Sequence, residues 1–455
     1  MKRLFAIILT LILTVGITIP IQASSNSTLV NDIEKANNQI AKAIEIIMTH
    51  YLEPVTINQL YAAAAQGMTV KLNQTNYHEG IPTVTVGTTV PVQTSQELSI
   101  SSEAQAAAKG LSKSIEQIMA EYAAYLTVNE LLEATLRGMA HILDTYSIYM
   151  SQTEYNHFIG VMSGSIPGLG VAMVTQANGH QIINDVDPDS IAQQIGILPG
   201  DTLLFVNWKP VVGLYLDAIV NQIFNQENDL VNIVIQRDGH FHTFDISMAD
   251  MHTSTVAVKR LEYMPVARGF NNLNEIRYMH ISGIGRTTGD DVQQALYQMQ
   301  REGVRRLILD LQGNTGGYLD VTVDISNLLV PAGTILQTVD NSGQRYTYSS
   351  TLQSSPFEYI VVLIDRYTAS GAEVIASALQ DSGAAVIIGE NTYGKGLVQS
   401  IYELGTDGAL KITTKEYFRR NGGTINQIGV VPCIEVGQEE LNTIMYRALT
   451  ILTGR

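Results

Sequence analysis

Three patterns of apolar residues follow one another along the chain. Residues 30–140 carry apolar side chains three and four positions apart, which is typical of amphipathic helices. Residues 163–248 show short apolar runs between Gly, Pro and Asp turns, with one helical pattern at residues 216–225, and this predicts a small β domain. From residue 255 to 430, apolar strands alternate with amphipathic helices as in βαβ units, and residues 439–452 predict a closing helix.

The helical region contains an internal repeat. Residues 44–68 align without gaps on residues 115–139, and eleven of the 25 positions are identical. In each copy a Thr precedes an apolar helix, and in the second copy Thr127 and Glu130 have the spacing of a capping box. Two copies are too few for a solenoid, so the repeat indicates a structural or oligomeric element. Residues 76–105, between the copies, predict a loop or hairpin insertion.

The N-terminus has the pattern of an export signal. Lys2 and Arg3 precede an apolar run over residues 4–21, which ends in polar and small residues at 22–25. This pattern predicts a secretory signal peptide, and we favour cleavage after Ala23. The alternative is an uncleaved anchor, because about 18 apolar residues is the lower edge of a membrane span. In both cases we expect an extracytoplasmic protein, secreted or held in the cell envelope.

Composition excludes several classes of function. The chain has 455 residues, of which 45% are hydrophobic, so it is not largely disordered. The 27 Lys and Arg residues against 43 Asp and Glu give a formal charge of −16, which argues against nucleic-acid binding. Cys433 is the single cysteine, which excludes an intramolecular disulfide and a Cys-rich metal site. His240 and His242 alternate on a predicted strand as solvated residues, and we expect no metal and no cofactor.

Two familiar catalytic patterns are incomplete in this chain. Residues 389–396 read GENTYGKG, but Gly396 stands where a phosphate-binding loop needs a hydroxyl for magnesium. Ser370, between Ala369 and Gly371, does not lie in a G-x-S-x-G elbow, and no well-placed His completes a Ser-His-Asp triad. The chemistry that remains is a serine and a lysine.

Ser370 begins a predicted helix, and Lys395 lies in a Gly-Lys-Gly turn after the next apolar strand. One interpretation of Ser370 is an N-cap, with Glu373 completing a capping box. The other is catalytic, because a helix N-terminus directs amides towards a developing oxyanion. Lys395 can act as a general base only when neutral, which requires burial to lower its pKa by about 3 units from ~10.4. Gln399 is placed to orient the lysine amine.

These residues resemble the carboxy-terminal processing (tail-specific) proteases, a family of Ser-Lys peptidases that carry a PDZ domain. That family places a Glu at the third position after its serine and, further along, a lysine inside T-[FY]-G-K-G-x-V-Q. Residues 392–399 read TYGKGLVQ, and they put Lys395 at the family's distance from the serine. The resemblance implies that Ser370 is the nucleophile, Lys395 the general base and Gln399 the partner that positions the lysine.

The resemblance extends to the loop that precedes the serine. Residues 310–317 read DLQGNTGG and correspond to the family's D-L-R-x-N-P-G-G. By resemblance the amides of Gly316 and Gly371 form the oxyanion hole. The sequence departs from the family in three places: Gln312 replaces Arg, Thr315 replaces Pro, and Cys433 replaces Asp.

Upstream segments also resemble the family. Gly168, Leu169, Gly170 and Val171 resemble the carboxylate-binding loop of a PDZ domain, in which a peptide C-terminus adds a strand to the sheet edge. Residues 143–150, LDTYSIYM, resemble the family's L-D-P-Y-S-x-Y-L, so the second helical copy takes the family's usual N-terminal position and the first copy is an addition. In place of the family's R-G-P-x-G-T turn, residues 224–229 read FNQEND.

The sequence therefore predicts a multidomain α/β and α+β protein. The predicted parts are a signal peptide (1–23), a helical region with the duplicated unit (24–160), a β-sandwich-like PDZ domain (161–250), a mixed α/β Ser-Lys protease core that is crotonase-like by resemblance (251–437), and a C-terminal helix (438–455). We expect an exported serine endopeptidase that recognises the C-termini of protein or peptide substrates. The alternative is a catalytically silent exported PDZ scaffold or regulatory binding protein. A homodimer follows from the resemblance, and membrane contact only from an uncleaved signal.

Overall fold

The structure, a computed structural model, describes most of the chain beyond the N-terminal segment. The described residues are 26–76, 100–163, 171–176, 179–186, 190–214, 219, 222, 230–247, 255–405, 408–437 and 441–454. The predicted signal peptide, most of the 76–105 insertion and the 224–229 turn lie outside them. The contacts divide the chain into two units: one comprises the N-terminal helices, and the other runs from Leu143 onwards and includes Thr49–Pro54.

The first unit consists of two helical hairpins, one for each copy of the repeat. Its helices are α1 (Asn26–His50), α2 (Ile57–Asn76), α3 (Ser102–Tyr122) and α4 (Val128–His141). The capping box predicted at Thr127 and Glu130 is confirmed. Thr56 and Gln59 make the equivalent box in the first copy, because each residue's backbone N–H donates to the other's side-chain oxygen. Both copies therefore begin their second helix in the same way.

Helices α2 and α4 cross at two glycines that occupy equivalent positions of the repeat. A Cβ on Gly67 would lie 2.1 Å from the carbonyl oxygen of Ala134, and a Cβ on Gly138 would lie 2.4 Å from that of Ala63. Ala63 and Ala134 are themselves equivalent, so the contact is reciprocal, as in a twofold-symmetric interface. The two copies thus pack on each other through the same face, which explains why both keep a glycine there.

The second unit begins with a short strand and a helix and continues into a small antiparallel sheet. Its first elements are β1 (Ile148–Met150), α5 (Gln152–Ser163), β2 (Val171–Thr175), β3 (Gln181–Val186), α6 (Ile191–Gln194), β4 (Thr202–Val206), β5 (Lys209–Pro210), β6 (Leu230–Arg237) and β7 (His240–Ser247). The sheet order is β2-β3-β4-β6-β7, with β5 beside β4. Alternate residues of these strands, such as Leu203, Ile233 and Ile235, form a core of their own. His240 and His242 are exposed, as predicted.

The remaining elements form two further sheets. They are β8 (Val256–Arg260), β9 (Ile276–Ile281), α7 (Thr288–Arg301), β10 (Arg306–Asp310), α8 (Leu319–Leu329), β11 (Gly333–Asp340), β12 (Arg345–Ser350), β13 (Tyr359–Ile364), α9 (Gly371–Asp381), β14 (Ala385–Gly389), β15 (Leu397–Glu403), β16 (Ala409–Arg419), β17 (Ile434–Glu435) and α10 (Leu441–Thr453), with 3₁₀ turns at Leu261–Tyr263, Pro265–Ala267 and Leu273–Glu275. The closing helix is therefore present, close to its predicted limits.

A six-stranded sheet forms the centre of this region, in the order β17-β14-β13-β10-β9-β8. Its strands are parallel except for β8. Leu307 and Leu309 point into a core with α7, α8 and α9, whereas Ile308 between them packs on the opposite face with α10. Burial on both faces is typical of parallel sheets and explains the continuous apolar runs in the sequence.

A second, antiparallel sheet contains β16, the longest strand, at its centre. Along one edge of β16, its first residues pair with β1 and its last residues pair with β11. Strand β15 pairs with the opposite edge of β16. Strand β12 completes the sheet beside β11. Among the described residues, no helix is long and apolar enough to cross a membrane.

Candidate active site

Three of the predicted site residues, Gly316, Ser370 and Lys395, lie on three loops at one edge of the parallel sheet. Strands β10, β13 and β14 are neighbours in that sheet. The loop after β10 contains Gly316, the loop after β13 contains Ser370, and the loop after β14 contains Lys395. Because the carboxyl ends of parallel strands meet at one edge, residues distant in sequence come together there. The sequence separation of the serine and the lysine thus corresponds to one helix, one strand and two loops.

Ser370 lies at the N-terminus of α9 in an unusual backbone conformation. Its φ is 57° and its ψ is −117°, a region that non-glycine residues rarely adopt. Such strain persists only where surrounding contacts hold it, and it is concentrated at functional sites. The Ser370 side chain is fully buried and is hydrogen-bonded to the hydroxyl of Tyr417. The serine therefore lies at a helix N-terminus in a fixed position, without solvent-exposed surface.

Glu373 links the serine loop to the lysine loop. Its Oε2 accepts the backbone N–H of Ser370 at 2.7 Å and that of Lys395 at 2.9 Å. Its Oε1 accepts the N–H of Gly394 at 2.7 Å and the hydroxyl of Thr392. Burial raises the pKa of this carboxyl, and the bonds from Thr392, Ser370, Gly394 and Lys395 act against that rise. One buried carboxylate thus holds the backbones of both Ser370 and Lys395.

Lys395 is buried, with 2% of its side chain exposed. Burial lowers the pKa of Lys395 to about 7, and the positive charge of Lys411 adds to this effect, whereas Asp144 and Glu373 oppose it. The ring of Tyr146 lies 4.9 Å from the amine nitrogen. The Lys395 carbonyl accepts the hydroxyl of Tyr417, and its N–H donates to Glu373, so the lysine backbone is held on both sides. The neutral form required of a base is accessible near neutral pH.

Gln399 is connected to the segment around Asp144 by a chain of hydrogen bonds. Its Nε2 donates to Thr413 Oγ1 at 3.2 Å, and the Thr413 N–H donates to Ser147 Oγ at 3.1 Å. Ser147 Oγ in turn donates to Asp144 Oδ2 at 3.0 Å. Gln399 is fully buried, so these bonds fix its side-chain amide. Because the amide nitrogen is directed at Thr413, its oxygen is the atom that can accept a hydrogen from an amine.

Gly316 packs directly against the serine. A Cβ at Gly316 would lie 2.7 Å from the backbone nitrogen of Gly371 and 2.9 Å from the Cβ of Ser370, and its φ is 89°. Only glycine fits this position. The Gly316 N–H donates to Asn314 Oδ1 at 2.8 Å, so in this conformation it is bonded within its own loop. An oxyanion role for this amide therefore requires that it share or leave the Asn314 side chain.

The predicted peptide-binding loop is described only at its last residue, and three further residues around the site were not identified from the sequence. Gly168, Leu169 and Gly170 lie outside the described residues, and Val171 is the first residue of β2. Sequence reasoning assigned no role to Lys411, although a lysine between Leu410 and Ile412 in a buried strand is an unusual signal. It also assigned none to Tyr417 or Asp144, whose contacts with the site depend on strand pairing.

Two of the departures from the family motifs have identifiable surroundings. The Gln312 N–H donates to Asp310 Oδ1 at 2.9 Å, and the exposed Cys433 lies beside the end of α9, within 3.6 Å of Gln380 Nε2.

Comparison with known proteins identifies the family of this chain. The sequence model of peptidase family S41 matches residues 275–436, and that of a PDZ domain matches residues 182–237. The carboxy-terminal processing protease CtpA of Bacillus subtilis is 30% identical over 340 residues, covering 74% of this chain and 70% of that protein. The chain belongs to this family. Family membership makes it a serine peptidase with a PDZ domain, which confirms the predicted family and fold class.

Other relatives have similar names. CtpB of Bacillus subtilis, also a carboxy-terminal processing protease, is 28% identical over 343 residues, covering 74% of this chain and 70% of its own length. A carboxy-terminal-processing protease of Bartonella bacilliformis is 29% identical over 332 residues, covering 71% of this chain and 73% of that protein. The solved structure of a photosystem II D1 C-terminal processing protease has 24% sequence identity and a TM-score of 0.43, with coverage of 71% of this chain and 86% of that one.

Proposed function

We propose that this protein is an exported endopeptidase that uses a Ser-Lys dyad and captures its substrates by their C-termini. Ser370 Oγ attacks the scissile carbonyl carbon as Lys395 takes the hydroxyl proton. The tetrahedral oxyanion is stabilised by backbone amides at Gly316 and Gly371. Lys395 then gives its proton to the leaving amine, and the acyl-enzyme forms as the peptide bond breaks. Water, deprotonated by the same lysine, hydrolyses the ester and restores both residues.

One observation carries the dyad: the Glu373 Oε2 atom accepts the backbone N–H groups of both Ser370 and Lys395. A single carboxylate oxygen therefore brings a strained helix-terminal serine and a buried lysine into one site. A purely structural N-cap explains the bond from Ser370 but not a second bond from a lysine in a different loop. Gln399 supports the same assignment, because the bond from its Nε2 to Thr413 fixes a buried side-chain amide in the strand that follows the lysine loop.

Capture of a C-terminus rests on the PDZ domain. Strand β2 lies at the end of its sheet, where β3 is its partner among the described strands. A sheet edge of this kind offers backbone groups to an added peptide strand. Val171 begins this strand, and Gly168, Leu169 and Gly170 precede it as the proposed carboxylate loop. The substrate would then bind by its backbone and terminal carboxylate.

Export is proposed from the sequence alone. Lys2 and Arg3 with the apolar run that follows them form the signal, and this segment lies outside the described residues. A homodimer stays a prediction of the family resemblance. The reciprocal contact at Gly67 and Gly138 joins the two copies of the repeat within the chain, so that face of the second copy is already covered.

Activity is expected to rise with pH through about 7. Burial lowers the pKa of Lys395 to about 7, and only its neutral form can accept the serine proton. Below this pKa the lysine is protonated and kcat/KM falls about tenfold for each pH unit, whereas above it the rate reaches a plateau. The measurement is kcat/KM of a tailed substrate from about pH 5 to about pH 9. A kcat/KM that still rises about tenfold per pH unit up to about pH 9, as for a lysine of ordinary pKa ~10.4, would contradict the assignment of Lys395 as base.

Recognition of the C-terminus is tested with one substrate protein in three forms. The first carries an apolar C-terminal tail, the second has the same tail ending in an amide, and the third has no tail. We expect the free carboxylate form to have a kcat/KM at least about tenfold above the others, because loss of one charge-assisted anchor costs about 1.4 kcal/mol or more. Equal turnover of all three would remove the PDZ capture step from the proposal.

A fluorophosphonate probe, which reacts with activated serines, distinguishes the proposed peptidase from a catalytically silent scaffold. Labelling of Ser370, located by mass spectrometry, identifies an active nucleophile. Since Ser370 is fully buried, labelling is measured with and without the tailed substrate protein. Binding of the tail without labelling or cleavage under either condition would establish the scaffold instead.

A further inference from the structure

A second buried lysine lies close to the first and has no part in the proposed reaction. Lys411 is in β16, where its direct neighbours across the sheet are Ile148 of β1 and Ile401 of β15. Its side chain is 1% exposed. An ammonium group is rarely buried among apolar strands without a specific role, because its desolvation is costly. The position of Lys411 therefore requires an explanation.

Strand register brings Lys411 to the face of the sheet that carries the site. Thr413 pairs with Gln399 and accepts a hydrogen bond from its side chain. Lys411 precedes Thr413 by two positions, so its side chain points to the same face. The Lys411 nitrogen lies 5.4 Å from the centre of the Phe158 ring of α5. Lys411 is thus held between α5 and the segment that fixes Gln399.

The charged groups around Lys395 come from β16, from α9 and from the segment before β1. Lys395 interacts with Lys411 of β16, with Asp144 in the segment before β1 and with Glu373 of α9. The ring of Tyr146 also faces the Lys395 amine, and its hydroxyl is bonded to Tyr393 in the lysine's own loop. Lys411 interacts with Asp144, which also accepts the hydroxyl of Tyr51. Lys411 is the cation of this group, and its charge lowers the pKa of Lys395. The carboxylates of Asp144 and Glu373 raise that pKa.

We propose that Lys411 is a positioning residue whose positive charge keeps the Lys395 amine unprotonated and ready to act as a base. This rests on the proposed function, since it assigns a role within the Ser-Lys site. Lys411 acts through Lys395 and touches no reacting atom. Asp144 supports this role because its carboxylate stabilises the positive charge of Lys411. The lysine that stays protonated is therefore Lys411, which lies away from the serine.

For Lys411 to act in this way, Lys395 must lose its proton while Lys411 is still charged. Burial lowers the pKa of both lysines, and the charge of Lys411 lowers that of Lys395 further. Repulsion then acts in the pH range in which the base becomes available. Removing the Lys411 charge leaves burial alone to oppose the two carboxylates, which favours the protonated form of Lys395 and raises its pKa.

The first test measures the titration order directly and needs no turnover. Lysine labelled with carbon-13 at Cε is followed by NMR against pH in the Ser370→Ala protein, and the Lys395 signal is assigned by its absence from Lys395→Met. We expect Lys395 to titrate at least about half a pH unit below Lys411. Loss of the Lys411 proton first, or at the same pH, would overturn the proposal without any change at position 411.

The second test removes the charge and then restores it. In Lys411→Met the Lys395 midpoint is expected to rise by about one pH unit, and the acid limb of kcat/KM in the active protein should move with it. Activity at pH 6 should fall about tenfold and recover near pH 9. Lys411→Arg keeps the charge and should keep the wild-type midpoint, whatever its effect on kcat.

The outcomes separate this proposal from the proposed function. If Lys411 had a merely structural role, Lys411→Met would lower kcat/KM equally at every pH. The Lys395 titration midpoint and the midpoint of the kcat/KM profile would both stay unmoved, which would overturn the inference. A shifted Lys395 titration in a protein that cleaves no tailed substrate would sustain the role of Lys411 and refute the peptidase assignment. Thermal unfolding of each variant, compared with the parent, identifies loss of folding.

Discussion

Replacement of Ser370 by alanine is expected to abolish cleavage of a C-terminally tailed substrate and to leave the fold intact. Without Oγ no acyl-enzyme can form, so kcat/KM should fall by about 10⁴-fold or more. The backbone bond from Ser370 to Glu373 does not involve the side chain and survives the change. The checks are kcat/KM by quantitative gel assay and the melting temperature. Cleavage within about tenfold of wild type would refute the nucleophile assignment.

Ser377 provides the matched control on the same helix. It is also a buried serine of α9, and its hydroxyl donates to the Val374 carbonyl at 3.2 Å, one helical turn away from Glu373. Ser377→Ala should cost about 1 kcal/mol of stability and change kcat/KM by no more than about twofold. Equal losses in both variants would mean that any change within α9 is damaging, and the Ser370 result would then carry no mechanistic information.

The lysine belongs to the same unit, and its variants should show this by non-additivity. Lys395→Arg keeps the positive charge but cannot supply a neutral base, because a guanidinium stays protonated in proteins. We expect it to be as inactive as Ser370→Ala. The double variant Ser370→Ala with Lys395→Met should be no less active than either single variant, as is found for residues that act together.

Much of this site was predictable because it is encoded locally. The spacing of Ser370, Glu373 and Lys395 is visible in the sequence, and the strands around them are continuous apolar runs. The N-cap and the catalytic interpretations of Ser370 do not exclude each other. Glu373 accepts the Ser370 N–H, as a capping box requires, and the same carboxylate accepts an N–H from the lysine loop.

What the sequence could not reveal depends on strand register and on helix crossing. Lys411 is visible in the sequence as a lysine between apolar residues, but its burial and its interaction with Lys395 depend on the pairing of β16 with β1 and β15. The repeated Gly67 and Gly138 were visible as identities, but their reciprocal contact depends on how two helices cross. The Asn314 bond to the Gly316 amide is equally invisible, because it depends on the loop's conformation.

Glu373 is expected to be the most sensitive position for stability as well as activity. Its carboxylate accepts four hydrogen bonds, from Ser370, Thr392, Gly394 and Lys395, in a fully buried site. Glu373→Ala leaves these donors without an acceptor, and each unsatisfied buried group costs about 1–3 kcal/mol. The free energy of unfolding should fall by several kcal/mol, which denaturant titration measures, and activity should be lost.

Glu373→Gln separates the two effects, because it keeps the volume and one acceptor oxygen. The amide nitrogen has no acceptor capacity, so two of the four donors lose their partner whichever way the amide turns. We expect a smaller loss of stability than for alanine. We still expect kcat/KM to fall at least about 100-fold, because one amide oxygen cannot accept the bonds from both Ser370 and Thr392. Glu390→Gln, which breaks the exposed pair with Arg366, is the control and should cost less than about 1 kcal/mol. A folded Glu373→Gln protein with wild-type kcat/KM would show that the carboxylate serves the fold alone, and the shared bond to Ser370 and Lys395 would lose its catalytic meaning.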